Sequence, residues 1–306
     1  MIRSFENIFE AAKALKPARL VTSFREADLD LICRAAAGGF IIPLLAGNRD
    51  AIARMNADSR LASLEYKVVE EEDPKAMLRR AISMIRERRA DIIMQGGFNP
   101  NAFLAAVLDP GAGLKKAKTA SYVSLFELTE SGKLILITDT FINNHPELAE
   151  KRFILENALS LSALLGIESP KVAVLAAIEQ VNPGIPSTLD AAILSKMSER
   201  GQFGKALVEG PLDIDCALSP VAAKRKGIQS DVTGNVDIYL VPEIDTGYLL
   251  AESFVCFGRI RAAGIVMGTT NPVIPDVPFV TDECRLVEIA LASLALDRGG
   301  RNGQAL

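Results

Sequence analysis

Short apolar runs punctuate the chain: ARLVTSF, GFIIPLLAG, ADIIMQGG, KLILITDTF, KVAVLAAIE, VDIYLVPEI and AGIVMGTT. Each is continuously apolar rather than alternating, which marks a strand buried on both faces. Between them lie segments of helical period. PKAMLRRAISMIRERRA is one, and PELAEKRFILENALSLSALLGI is another, with Leu155, Ala158, Leu159, Ser162 and Leu165 on one stripe. Strands and helices in alternation predict βαβ units, and hence sheets that are largely parallel. The alternation restarts at KLILITDTF, so a boundary is expected near Thr138 and Asp139. Two α/β domains divided there are expected. No tandem repeat is visible, and the tail DRGGRNGQAL is expected to fray.

Composition narrows the function classes. The 306 residues are 49% hydrophobic and 24% charged, a globular composition long enough for about two domains. A net charge of −4 with no Lys/Arg run that stands out leaves no basic surplus to neutralise a polyphosphate backbone, so nucleic acid is not an expected partner. Cys33, Cys216, Cys256 and Cys284 stand far apart without clustered histidines, and read as small core residues rather than a metal site or disulfide framework. No apolar run approaches the roughly 18 residues of a membrane span. A cytoplasmic protein is expected.

Three loops hold polar residues at strand ends, where parallel α/β proteins bind ligands. In MQGGFNPNAFLAAVLD, Gly96 and Gly97 turn the chain and Asn99 with Pro100 caps a helix. Free N–H groups there would suit an anion, although a plain turn explains the glycines equally well. TDTFINNHPEL gathers Asp139, Asn143, Asn144 and the only histidine, His145, before a helix capped by Asn143 or Asn144. Asp139 is the better functional candidate, and His145 also reads as a surface residue. EQVNPGIPSTLDAAILSKM carries Asn182 in a proline-stiffened loop before a helix capped by Ser187 or Thr188. A fourth loop, NPVIPDVPFV, has three prolines and no basic group.

The collinear series TDTFINNHPEL, VNPGIPSTLDAAILSKMSERGQFGKALVEGPLDIDCALS, VPEIDTG and AAGIVMGTTNPV resembles the phosphate acetyl/butyryltransferase family, most nearly its butyryl type. The resemblance implies an isocitrate/isopropylmalate dehydrogenase-like architecture, two α/β domains with an interdomain cleft, and usually a homodimer; residues 1–138 with 285–306 then form the first domain, to which LVEIALASLAL returns as a helix, and residues 139–284 the second. It implies acyl transfer between coenzyme A and phosphate, with no resident metal or cofactor. Coenzyme A or acyl-CoA is then a substrate or ligand, and its expected contacts are Gln95, Gly96, Gly97, Asn143, Asn182, Thr188, Gly247, Gly268 and Pro272. Asp139, His145, Glu243 and Asp276 follow strands and are the acid/base candidates. A non-catalytic CoA- or acyl-CoA-binding protein acting through a protein partner is the alternative. A metal- and NAD-dependent dehydrogenase is disfavoured, since neither clustered aspartates nor G-x-G-x-x-G is present.

The chain departs from the family where the family carries donors and cations. Gln95 stands in place of a lysine, Ala105 of an arginine, Tyr122 of a histidine, Tyr248 of an asparagine and Glu252 of a lysine. A Ser-Arg pair thought to handle acyl and phosphate groups falls on Val277 and Pro278. Weakened phosphate chemistry is expected, with Arg285, Arg259 and Arg261 as possible substitutes.

Overall fold

The computed structural model describes residues 1–128 and 132–302. The chain begins with helix α1 (Phe5–Lys13), then β1 (Ala18–Ser23), a single turn at Glu26–Asp28, α2 (Leu29–Ala37), β2 (Ile41–Gly47), α3 (Arg49–Ala57) and β3 (Lys67–Glu70). It continues through α4 (Pro74–Arg86), β4 (Ile92–Gly96), α5 (Pro100–Val107), β5 (Ser121–Leu128), β6 (Lys133–Thr138), α6 (Leu148–Leu164) and β7 (Lys171–Leu175). Then come α7 (Pro186–Glu199), β8 (Leu207–Leu212), α8 (Ile214–Leu218), α9 (Pro220–Arg225), β9 (Ile238–Leu240) and α10 (Ile244–Cys256). The last elements are β10 (Arg261–Met267), β11 (Val273–Ile274) and α11 (Asp282–Asn302).

Two compact units result. The first comprises Phe5–Ala120 with Ala263–Leu306, the second Met1–Ser4 with Ser121–Ala262. The breaks fall after Ala120 and Ala262; the restart of strand alternation suggested Thr138 for the first, and the family resemblance Cys284 for the second. Both β5 and β6 belong to the second unit, because they form one antiparallel pair.

Strands of the first unit lie in the order β3-β2-β1-β4-β11-β10 and those of the second in the order β5-β6-β9-β7-β8. Pairing is parallel among β1, β2, β3, β4 and β11, and again among β6, β9, β7 and β8. The exceptions are antiparallel β5–β6 and β10–β11. Continuous apolarity has its expected meaning: β4 is buried throughout, and β6 everywhere except Lys133.

The helices are stopped and started by local chemistry. Asp73 caps α4 by accepting the Ala76 N–H at 2.7 Å, Pro74 opens the first turn, and Met77, Leu78, Ala81, Ile82 and Ile85 are buried. Each large apolar side chain so buried contributes about 1.5–3 kcal/mol. Glu147 and Glu150 form a capping box on α6, so neither Asn143 nor Asn144 is its cap. Of the α6 stripe, Leu155, Ala158, Ser162 and Leu165 are buried and Leu159 is partly so. The tail is helical as far as Asn302, and residues 303–306 lie outside those described. Of the cysteines, Cys216 and Cys284 are core residues, whereas Cys33 is half-buried and Cys256, at the end of α10, is exposed.

Candidate active site

In the second unit the parallel strands β6, β9, β7 and β8 open their carboxyl ends on one edge. The loops there enclose a cavity of about 680 Å³ with apolar walls at Leu175, Ile214 and Leu250 and polar groups at His145, Lys151 and Glu243. His145, 74% exposed, sets its Nδ1 3.0 Å from Glu243 Oε2. Glu243 immediately precedes α10, and its carboxylate fixes the ring's orientation. Lys151 is buried at the end of the first turn of α6 and pairs with Asp190 of α7 at 2.7 Å. Its sequence signal was position: Lys151 precedes Leu155 and Ala158 at helical spacing on the buried stripe.

Asp213, also on the cavity wall, caps α8 by accepting the Cys216 N–H at 3.1 Å. The Lys226 ammonium bonds to Asp213, to Glu179 and, at 3.0 Å, to Asp215. Oxygens of these three acids and Cys216 Sγ lie within 4.8 Å of one another, an acidic knot whose counter-charge is Lys226. Lys226 holds the Glu179 carboxyl down at about 2. Burial, then Asp213, pushes the Cys216 thiol up to about 12, so it remains protonated and inert as a nucleophile.

Asp139 sits deeper. It is buried, and Oδ1 accepts the N–H groups of Phe141 at 2.9 Å, Ile142 at 3.0 Å and Tyr122 at 3.3 Å. Oδ2 accepts the Asn143 backbone N–H at 3.1 Å and its side-chain amide. Burial pushes the carboxyl above its ordinary value while the donors pull it back. With donors on both oxygens it anchors the loop that delivers His145 to the cavity.

Asn182, Thr188 and Gly247 are likewise turned toward scaffold. The Thr188 hydroxyl accepts the Asn182 N–H at 2.9 Å and is 2.8 Å from the Ile185 carbonyl, so it braces the turn, while Pro186 opens α7 after Ile185. Asn182 Oδ1 accepts the Gly184 N–H at 2.8 Å. A Cβ at Gly247 would stand 2.5 Å from the Asp139 carbonyl oxygen, so α10 approaches the β6 loop only through glycine. The cavity is lined by neighbours of these residues, His145, Ser187 and Thr246.

The first unit uses its loop residues in a similar way. Asn99 caps α5, accepting the Ala102 N–H at 3.0 Å, with Pro100 next, as expected. The Gly97 N–H is committed to the Ser23 carbonyl and that of Phe98 to Gln95, so neither is free for an anion. Gly96 adopts φ +51°, and a Cβ there would lie 2.2 Å from Thr22 Oγ1. Gly268 (φ +88°) accepts the N–H groups of Lys116 and Ala117, and the Pro272 carbonyl accepts Ile93 N–H. Gln95, buried, accepts the Asp276 N–H at 3.0 Å. Val277 is buried and Pro278 exposed, so this loop's chemistry rests with Asp276, whose carboxylate pairs with Arg25 at 2.6 Å and lies 3.7 Å from Arg285. Arg259 and Arg261 belong to the second unit, where Arg261 bonds to Glu127. Ala105 lies on a groove between α4 and α5 with Arg79 and Arg86.

Comparison with known proteins identifies the frame in which these residues stand. The family described as phosphate acetyl/butaryl transferase matches residues 50–277. A phosphate butyryltransferase of Clostridium acetobutylicum is 36% identical over 296 residues, covering 96% of this chain and 98% of its own. A crystal structure of a branched-chain phosphotransacylase from Enterococcus faecalis is 28% identical with a TM-score of 0.79, covering 91% of this chain and 99% of that one. A phosphotransacetylase from Streptococcus pyogenes, 16% identical, has the same fold, with a TM-score of 0.80 over 96% of this chain and 99% of its own.

Proposed function

Because the chain belongs to the phosphate acetyl/butyryltransferase family, we propose that it is an enzyme moving an acyl group between coenzyme A and phosphate or another acceptor. The observation that carries this reading is the second unit's cavity, which joins apolar walls to the His145–Glu243 pair and the buried Lys151. Acyl-CoA enters there as substrate, and no resident cofactor takes part. With Nδ1–H donated to Glu243, the His145 Nε2 lone pair is the base that takes the coenzyme A thiol proton. The thiolate attacks the acyl carbonyl of an acyl phosphate, the C–O bond to phosphate breaks, and a thioester forms. In reverse, phosphate oxygen attacks the thioester, the C–S bond breaks and His145 returns the proton to sulfur.

The phosphate half of the reaction is slow in this reading. Gln95, Ala105, Val277 and Pro278 supply no cation where the family resemblance implies lysine, arginine and a Ser-Arg pair. Loss of one transition-state donor costs about a hundredfold or more. Phosphate-dependent release of free thiol, assayed over several acyl chain lengths, is expected to fall below an ordinary family rate by at least that factor. A family-normal rate overturns the weakening. Loss of turnover in His145→Ala with acyl-CoA binding retained supports the assigned base, and unchanged turnover removes it.

The alternative, a non-catalytic CoA-binding protein working through a partner, draws on α10. That helix fully buries only Gly247 and Ala251 and leaves Leu249 63% exposed, with Phe257 just beyond it 89% exposed. The same apolar face would equally serve a homodimer. Among the described residues no helix is long and apolar enough to cross a membrane, and a cytoplasmic site of action accords with an acyl-CoA substrate.

A further inference from the structure

At the carboxyl ends of β1, β4 and β11, all parallel, the first unit holds a charge network remote in sequence and compact in space. Arg25, beyond β1, grips Asp28 with two nitrogens at 2.8 and 2.6 Å and reaches Asp276 Oδ2 with a third at 2.6 Å. Arg285, in the first turn of α11, puts Nη1 2.7 Å from Asp28 Oδ1 and 3.7 Å from Asp276 Oδ1. Its guanidinium is 5% exposed, and its Nε and Nη2 are buried with no hydrogen-bond partner. Buried donors on a cation are rarely left unsatisfied without a use. Asp28 is fixed, being 2% exposed, whereas Asp276 is 30% exposed on a proline-flanked loop.

Two guanidiniums addressing the two oxygens of one carboxylate form the arrangement that also recognises a phosphate. With Asp276 in place, Arg25 and Arg285 are balanced by Asp28 and Asp276. Without it the site has one net positive charge and the unused nitrogens of Arg285. We propose that Asp276 is a tethered anion occupying a phosphate-binding site made by Arg25 and Arg285, and that a phosphate dianion binds there when the loop carries Asp276 away. The ligand is inorganic phosphate or the phosphate monoester of a nucleotide. Either is excluded in proportion to how firmly Asp276 is seated, which makes the loop a built-in competitor. This assignment is read from the charges of the first unit alone and stands or falls without the acyl-transfer reading.

The test is calorimetric titration at constant ionic strength, with chloride as the control anion. Asp276→Asn and Asp276→Ser are expected to bind inorganic phosphate about tenfold or more tightly than the parent, the worth of one charge-assisted bond. Adding Arg25→Ala to either is expected to abolish the gain. Adenosine 3′,5′-bisphosphate, titrated in parallel, decides between free phosphate and a nucleotide monoester by which binds more tightly. In the parent, the thermal midpoint is expected to rise with millimolar phosphate over the chloride control, and not to rise in Arg25→Ala. A flat parent midpoint, or folded Asp276 variants binding no better than the parent, overturns the proposal. Binding that survives Arg25→Ala overturns it as well.

Discussion

Asp139→Asn separates a loop anchor from a proton carrier. The substitution keeps size and shape but turns one acceptor oxygen into a donor NH2. If the nitrogen takes the place of Oδ2, it meets the backbone N–H and side-chain amide of Asn143. In place of Oδ1 it meets the N–H groups of Phe141, Ile142 and Tyr122. At least the two bonds of the Oδ2 side are therefore lost, each worth about 1.5–3 kcal/mol when the acceptor is charged. Relief from burying a charge offsets part of that, leaving a net cost of about 2–4 kcal/mol. At about 2–4 °C per kcal/mol, the thermal midpoint should fall on the order of 5–15 °C. Calorimetric unfolding measures this, and turnover is followed on the same sample below the new midpoint. Stability within about 0.5 kcal/mol of the parent, combined with loss of turnover, would refute the anchoring role and return Asp139 to the acid/base candidates.

Gly96→Ala forces a left-handed residue to carry a Cβ 2.2 Å from Thr22 Oγ1 and 2.4 Å from the Ser23 carbonyl oxygen. A loss of about 2–5 kcal/mol is expected in urea unfolding, from backbone strain and overpacking together. Glu179 has its carboxyl lowered from 4.5 to about 2 by Lys226, so the stability it contributes is complete above 4.5 and disappears as pH falls toward 2. The midpoint difference between parent and Lys226→Met should accordingly shrink through that window, and a difference independent of pH contradicts the assignment. With a chromogenic thiol reagent, exposed Cys256 should react first, half-buried Cys33 more slowly, and Cys216 and Cys284 only on unfolding. Fast labelling of Cys216 would place it outside the core.

The buried strands were legible because burial on both faces writes itself as a continuous apolar run, as in β4 and β7. The strands that escaped notice lack that run. In β5, Ser121, Ser124 and Glu127 interrupt it although all are buried, and β3 is an edge strand with only Val69 inside. Two-residue β11 is too short to leave a pattern. The order of the family motifs was equally local information, and it sufficed to identify the family.

Which side chain faces a ligand was not local information. Asp139, Asn182 and Thr188 stand at strand ends, as ligand residues do, yet each is used up mainly by groups two to six positions away, with the Tyr122 N–H a remote addition at Asp139. His145 meets Glu243, Lys151 meets Asp190, and Arg25 and Arg285 meet Asp276 only after chain segments far apart in sequence are brought together. Sequence alone determined the α/β class, the parallel pairing and the family, because these depend on periodicity and motif order. The tertiary structure decided the cavity, the buried cation and the arginine-held loop, because a charge's environment depends on what packs against it, and those partners are remote along the chain.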